Sequence, residues 1–253
     1  MATLLQMTTF VNTVRTNKNN CNSPFIKKTP QLINFEGGRV HFSFPTRRNQ
    51  FIASAISSSP GNVSPLINED TPSLLNMVTV FDLDGREIVI SDLWKDRKAV
   101  VAFARHFGCV LCRKRADYLA TAKDKMDKAG VALVLIGPGS VNQAKAFTSQ
   151  TNFKGEVYAD PTHSSYEAFS FVSGISTTFT PKAGLKIIQL YMEGYRQDWG
   201  LSFEKDTRTR GGWRQGGIVV AGPGKNNISY IHKDKEAGDD PDIKDILEAC
   251  CSQ

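Results

Sequence analysis

The run AVVAFA at 99–104 is apolar without interruption. A strand that lacks polar alternation must be covered on both of its faces. A second run of the same kind, VALVLI, lies at 131–136. Two such strands call for a sheet with layers on either side, which places the chain in the α/β class. Between them Cys112, Ala116, Leu119, Lys123 and Met126 recur at helical three-and-four spacing, so 109–129 is expected to be one helix, with Gly130 as its stop.

The flanking pattern fills in the rest of a single domain over 77–253. Residues 78–82 and 88–90 bracket Asp84-Gly85, a hairpin-turn signal. After the second buried run, helices are expected at 141–150 and 164–172, with a short strand at 156–159 between them. The periodicity lapses over 173–213, apart from Leu185, Ile188, Met192 and Tyr195 on one helical face. That segment reads as an insertion carrying one helix. Strands at 217–221 and 228–231 then form a closing hairpin. A final helix at 241–249 has Asp242 in its first turn, where the helix dipole favours negative charge. The expected architecture is a central mixed sheet flanked by helices, with the helical insertion before the closing hairpin.

The chain has 31 Lys and Arg against 25 Asp and Glu, a formal charge of +6. A nucleic-acid or membrane surface would place that excess within the folded part. Instead residues 1–68 hold Arg15, Lys18, Lys27, Lys28, Arg39, Arg47 and Arg48 against Glu36 alone, and the remainder is balanced. The segment at 1–60 is cationic, rich in Ser, Thr and Asn, and has no continuous apolar core of the secretory kind. It is expected to be a transit peptide for the chloroplast stroma, cleaved near Ala53 or Ala55, with a linker at 61–76. No apolar run approaches the ~18 residues that span a bilayer. Neither nucleic acid nor membrane insertion is expected.

The chemistry concentrates at Cys109-Val110-Leu111-Cys112. A buried strand, a short loop, Cys-x-x-Cys and a helix is the thioredoxin active-site layout. A sulfur at the mouth of a helix faces unpaired N–H groups and the positive end of the dipole, which favours thiolate. Cys109 is the candidate nucleophile and Cys112, one turn inside, the candidate resolver. Cys109 is expected to be exposed and Cys112 shielded on the stripe with Ala116 and Leu119. Arg105, His106 and Arg113 flank the pair as candidate thiolate-stabilising groups, with Lys114 and Arg115 adding positive charge; His106 is equally readable as a solvated loop histidine. The same spacing forms half of many zinc sites, but the further ligands on offer are Cys250, Cys251 and His232, and neighbouring cysteine side chains diverge. Redox chemistry without a metal is therefore expected. Cys250 and Cys251 read as mobile tail thiols or as partners for an oxidised Cys109, and His163 and His232 as surface residues. Trp199 flanks the insertion and either packs the core or lines a pocket.

These residues carry a resemblance. The run VVAFARHFGCVLCR at 100–113 resembles the diagnostic segment of the peroxiredoxin-like family with the AhpC/TSA antioxidant-enzyme domain. YMEGYRQDWGL at 191–201 and WRQGGIVVAGPG at 213–224 are similar to later parts of the same family, so the resemblance covers about 78–249. It implies a thioredoxin-like fold and thiol-dependent reduction of peroxides, lipid endoperoxides or disulfides. No bound cofactor is implied, only an external dithiol donor, a thioredoxin-type or small-thiol reductant. His106, Phe107 and Gly108 stand where peroxiredoxins carry the end of a Pro-x-x-x-Thr-x-x-Cys pattern. Arg214, Gln215 and Gly216 stand where thioredoxins carry a cis-proline. Gln215, Gly216 and Trp213 are accordingly the substrate-facing candidates. A non-catalytic redox sensor, whose insertion contacts a partner, is the rival reading.

Overall fold

The computed structural model describes residues 71–252. The leader at 1–60 and the first part of the linker lie outside the described residues. Helix α1 (Thr71–Leu75) occupies the end of the expected linker, and its Leu75 is fully buried, so this stretch already belongs to the domain. The chain continues through β1 (Thr79–Phe81), β2 (Glu87–Val89), β3 (Lys98–Phe103), α2 (Val110–Ala120), α3 (Lys123–Lys128), β4 (Val131–Pro138), α4 (Val141–Gln150), β5 (Glu156–Asp160) and α5 (Ser164–Ala168). The insertion holds α6 (Ile175–Thr178), α7 (Pro181–Met192) and α8 (Trp199–Phe203). The chain ends in β6 (Gly217–Ala221), β7 (Ile228–Lys233) and α9 (Ile243–Cys251).

The strands form one mixed sheet in the order β2-β1-β5-β4-β3-β6-β7. β3, β4 and β5 are parallel, while β6 runs antiparallel to β3 and β7 antiparallel to β6. The apolar runs have the two-sided burial that their composition demands. Val100 and Ala102 of β3, Leu133 and Leu135 of β4, and Ile218 and Val220 of β6 pack with Ala116, Leu119, Phe147 and Ile246. The alternate residues Ala99, Val101, Phe103, Val134, Ile136 and Val219 pack with Trp94, Tyr166, Phe169 and Phe171. Helices thus cover both faces of the sheet, and the dithiol opens the helix that follows β3. This is a thioredoxin-like fold.

Local chemistry moves several boundaries. The helix expected over 109–129 is broken between α2 and α3: Thr121 Oγ1 donates to the Tyr118 carbonyl at 2.7 Å, and the Ala122 N–H closes a tight bond to Leu119 O at 3.0 Å. The helix expected to reach 172 stops at Ala168, because Ser170 adopts φ 53° and turns Phe169 and Phe171 against Phe103. The insertion carries three α-helices and a π-helical turn (Thr207–Gly211), rather than one helix. In α7 the buried residues are Ala183 and Leu190, whereas Leu185, Ile188 and Met192 are exposed. The helix is apolar on two faces, and periodicity selected the outer one. His163 is buried, not on the surface, in a left-handed turn (φ 62°) beside Tyr166.

Candidate active site

Cys109 is the N-cap residue of α2, and Cys112, Ala116 and Leu119 share its buried stripe. Both cysteines are buried, at 2% and 5% exposure, which overturns the expectation of an exposed Cys109. The insertion is the reason. Asp198 N–H donates to Gly108 O at 3.0 Å, and a Cβ on Gly108 would stand 2.6 Å from Asp198 O, so α8 is drawn tightly over the helix mouth. Gln197 Oε1 accepts the Val110 N–H at 2.8 Å, which satisfies one of the free donors of the first turn.

The two thiols are electrostatically unequal. The Cys112 thiol donates to the Cys109 sulfur, and this bond is the largest cause holding the Cys109 pKa well below the ordinary thiol range; burial opposes it and Arg105 reinforces it. The same bond, together with burial, drives the Cys112 pKa well up. Arg105 Nη1 lies 3.6 Å from Cys109 Sγ and Nη2 donates to Gly212 O at 2.7 Å, while the Arg105 backbone N–H donates to Cys112 Sγ at 3.2 Å. One residue therefore holds both sulfurs. His106 is also buried, and burial pushes its pKa down to about 4. It is neutral at physiological pH, so the cation beside the thiolate is Arg105 and not an imidazolium.

The other flanking cations have partners elsewhere. Arg113 reaches Gln150 and Asp198. Lys114 pairs with Glu193 at 3.1 Å on the surface. Arg115 turns inward to a bidentate pair with Asp234 at 2.9 and 3.0 Å, and to Asp240 at 2.6 Å.

Cys109, Arg105 and His106 line a cavity of about 500 Å³ whose other walls include Phe179, Tyr191, Trp199, Phe203 and Trp213. Trp199 stacks on Phe203, and Phe179 packs against Trp213. Of the three residues expected to face substrate, Trp213 lines this cavity. Gln215 and Gly216 do not: Gln215 is fully buried, with Nε2 donating to Thr178 Oγ1 at 2.9 Å, and neither residue lines the cavity. Gly216 has a structural task, since a Cβ there would lie 1.9 Å from Phe103 O. Gln197, Asp198, Phe179 and Phe203 escaped the sequence reading. The signal available for α8 was Asp198, whose side chain caps it by accepting the Leu201 N–H at 3.0 Å.

Comparison with known proteins gives the family. Residues 118–236 match the model of the AhpC/TSA antioxidant enzyme family. The chain is 67% identical over 215 residues to "Thioredoxin-like protein AAED1, chloroplastic" of Arabidopsis thaliana, covering 85% of this chain and 86% of that protein. It is 27% identical to "Peroxiredoxin-like 2C" of Bos taurus, over 76% of this chain and 83% of the relative. It is 29% identical to "Prostamide/prostaglandin F synthase" of Salmo salar, over 66% and 81%. The compartment read from the cationic leader is that of the Arabidopsis relative, the chloroplast. With its fold, the dithiol at the mouth of α2 and a relative two-thirds identical over most of both chains, the protein belongs to the peroxiredoxin-like, AhpC/TSA-type family of thioredoxin-like redox proteins.

Proposed function

We propose that the chain is a thiol-dependent oxidoreductase that reduces apolar organic peroxides or endoperoxides through Cys109 and Cys112. The observation that carries this reading is the position of Cys109 Sγ, 3.6 Å from Arg105 Nη1 on the wall of an aromatic cavity. A sulfur 2% exposed is reached by a small molecule entering that cavity more readily than by a folded protein's disulfide. The low-pKa Cys109 thiolate attacks one peroxide oxygen. With a hydroperoxide the O–O bond breaks, Cys109 becomes a sulfenic acid, and the alkoxide takes a proton and leaves as an alcohol; with an endoperoxide Cys109 becomes a sulfenate ester of the opened ring, whose freed alkoxide takes the proton. Arg105 holds the negative charge first on sulfur and then on the departing oxygen. Cys112 then attacks Cys109 Sγ, forming the disulfide and releasing water from the sulfenic acid, or the diol product from the sulfenate ester. An external dithiol returns the pair to thiols by exchange.

The test is turnover of purified protein with cumene hydroperoxide, hydrogen peroxide and a protein disulfide, each with dithiothreitol as donor. Organic hydroperoxide should be consumed fastest. Cys109→Ser should abolish consumption, and Cys112→Ser should trap sulfenic acid on Cys109. A reversible Cys109–Cys112 disulfide without turnover on any substrate would leave the sensor reading in its place.

A further inference from the structure

Cys250 and Cys251 are the last two residues of α9, not a mobile tail. Adjacent side chains on a helix ordinarily diverge, yet these two sulfurs converge to 3.1 Å. Cys250 is buried with Ile246 in the core on that face of the sheet, and its thiol contacts the Leu247 carbonyl at 3.8 Å; Cys251 is half-buried beside it. Helix α9 packs against α3 and β3, and although burial and the neighbouring Cys251 push the Cys250 thiol up, the charge of Lys98, the first residue of β3, is near enough to oppose them. Cys109 follows the opposite end of that strand, and the rise from Lys98 to Phe103 is about 16 Å. The C-terminal thiols can therefore neither resolve an oxidised Cys109 in the same chain nor share a metal ion with it.

We infer that Cys250 and Cys251 form a second redox centre, separate from the Cys109 site, that closes to a disulfide between adjacent residues and opens the last turn of α9. The oxidant is a low-molecular-weight disulfide, RS–SR. The Cys251 thiolate attacks one of its sulfurs, releasing RS⁻ and forming a mixed disulfide. Cys250, its proton lost to solvent, attacks Cys251 Sγ and releases the second RS⁻. Two cysteine thiols give up two electrons and two protons, and RS–SR becomes two thiols. Neighbouring Cα atoms are about 3.8 Å apart across a trans peptide, below the roughly 4.4–6.8 Å of ordinary disulfides. The small ring cannot keep helical geometry, so its closure breaks the bond from Ser252 N–H to Glu248 O, now 3.3 Å long. In the reduced state the same convergent pair is a clasp for a trivalent arsenical, which bonds to two thiolates at once.

The experiment uses the full chain with Cys21, Cys109 and Cys112 changed to Ser, and the unaltered chain beside it in case the triple variant folds poorly. Each is equilibrated in glutathione buffers of rising oxidised fraction and cleaved with trypsin, which releases residues 245–253 with both thiols. That peptide should lose two hydrogens without gaining glutathione, and the amides at 248–252 should exchange faster in the oxidised protein. The triple variant should bind one equivalent of phenylarsine oxide. Adding either Cys250→Ser or Cys251→Ser should remove that binding. Glutathione adducts or chain-to-chain disulfides as the sole products, or arsenical binding indifferent to both substitutions, would overturn the inference.

Discussion

Arg105 is a buried guanidinium with no carboxylate in ion-pair range among the described residues, and the group its Nη1 meets is the sulfur of Cys109. A charge in that position is expensive unless an anion faces it. The Cys109 thiolate therefore supplies the anion that the Arg105 guanidinium faces, and Arg105 adds to the Cys112 hydrogen bond in favouring that thiolate. Hydrogen bonds to charged groups contribute about 1.5–3 kcal/mol, so Arg105→Ala should slow alkylation of Cys109 by iodoacetamide at neutral pH by roughly tenfold or more. An unchanged rate would mean that the Cys112 hydrogen bond suffices alone. His106 makes the opposite contribution. Its folded pKa of about 4 lies below the reference 6.5, so between those values the unfolded chain binds more protons than the native one. Native stability is thus lost as pH falls from 6.5 toward 4, by on the order of 3 kcal/mol from this residue. In His106→Gln, urea titrations across that range should show a shallower loss. Because the imidazole is neutral above that window, the alkylation profile of Cys109 should show no inflection near pH 6.5.

Among the elements, α2 and the insertion form the site together. The Gln197 side chain reaches back 87 residues to the Val110 N–H, and the Asp198 backbone reaches Gly108. Gln197→Ala should leave that helix-start donor unpaired, at a cost of about 1 kcal/mol. Amide exchange at Val110 should accelerate while the amides of β3 keep their protection; equal acceleration in both would indicate global loosening instead. Such contacts explain what could be read in advance. The strands around 99–104 and 131–136 were legible because unbroken apolarity admits few environments, and Cys109-x-x-Cys112 because its chemistry depends on local geometry. The closing of α8 over the helix mouth was not legible, since nothing local to Gly108 or Gln197 encodes their pairing. Nor was the orientation of α7, where Leu185 and Ile188 offer a face as apolar as that of Leu190. Arg115 is a different case. It falls between Cys112 and Leu119 on the inward stripe, a signal that was present and was outweighed by its charge.

Across the whole molecule, Arg115 joins the active-site helix to the end of the chain. Its bidentate bond to Asp234 and its bond to Asp240 tie α2 to the segment after β7, and Tyr118 Oη accepts the Ile243 N–H at 2.7 Å one turn further along. Asp234 also anchors the hairpin, since its N–H donates to Gly216 O at 3.0 Å. The position of the Cys112 thiol under Arg105 thus depends on a charge cluster contributed by the far end of the sequence. Burial holds the Asp234 pKa above its usual value even with Arg115 in place, and Asp240 is lowered by the same arginine. Removing one partner of a buried pair typically costs about 3–5 kcal/mol, and Arg115→Met should approach that figure in chemical denaturation at neutral pH. The pH dependence identifies the cause. An unpaired, buried Asp234 would have its folded pKa raised further, so the native state would bind the proton more readily than the unfolded chain. That contribution is present at low pH and lost as pH rises through the folded pKa, so the deficit of Arg115→Met relative to the parent should shrink on moving from pH 8 to pH 5. Asp234→Asn in the Arg115→Met background should recover part of the loss at pH 8 and weaken its pH dependence, leaving the contribution of Asp240. A deficit that stays constant with pH, or a double variant no more stable than the single, would show that Arg115 acts by packing and not as the counter-charge that locks α2 to the closing hairpin.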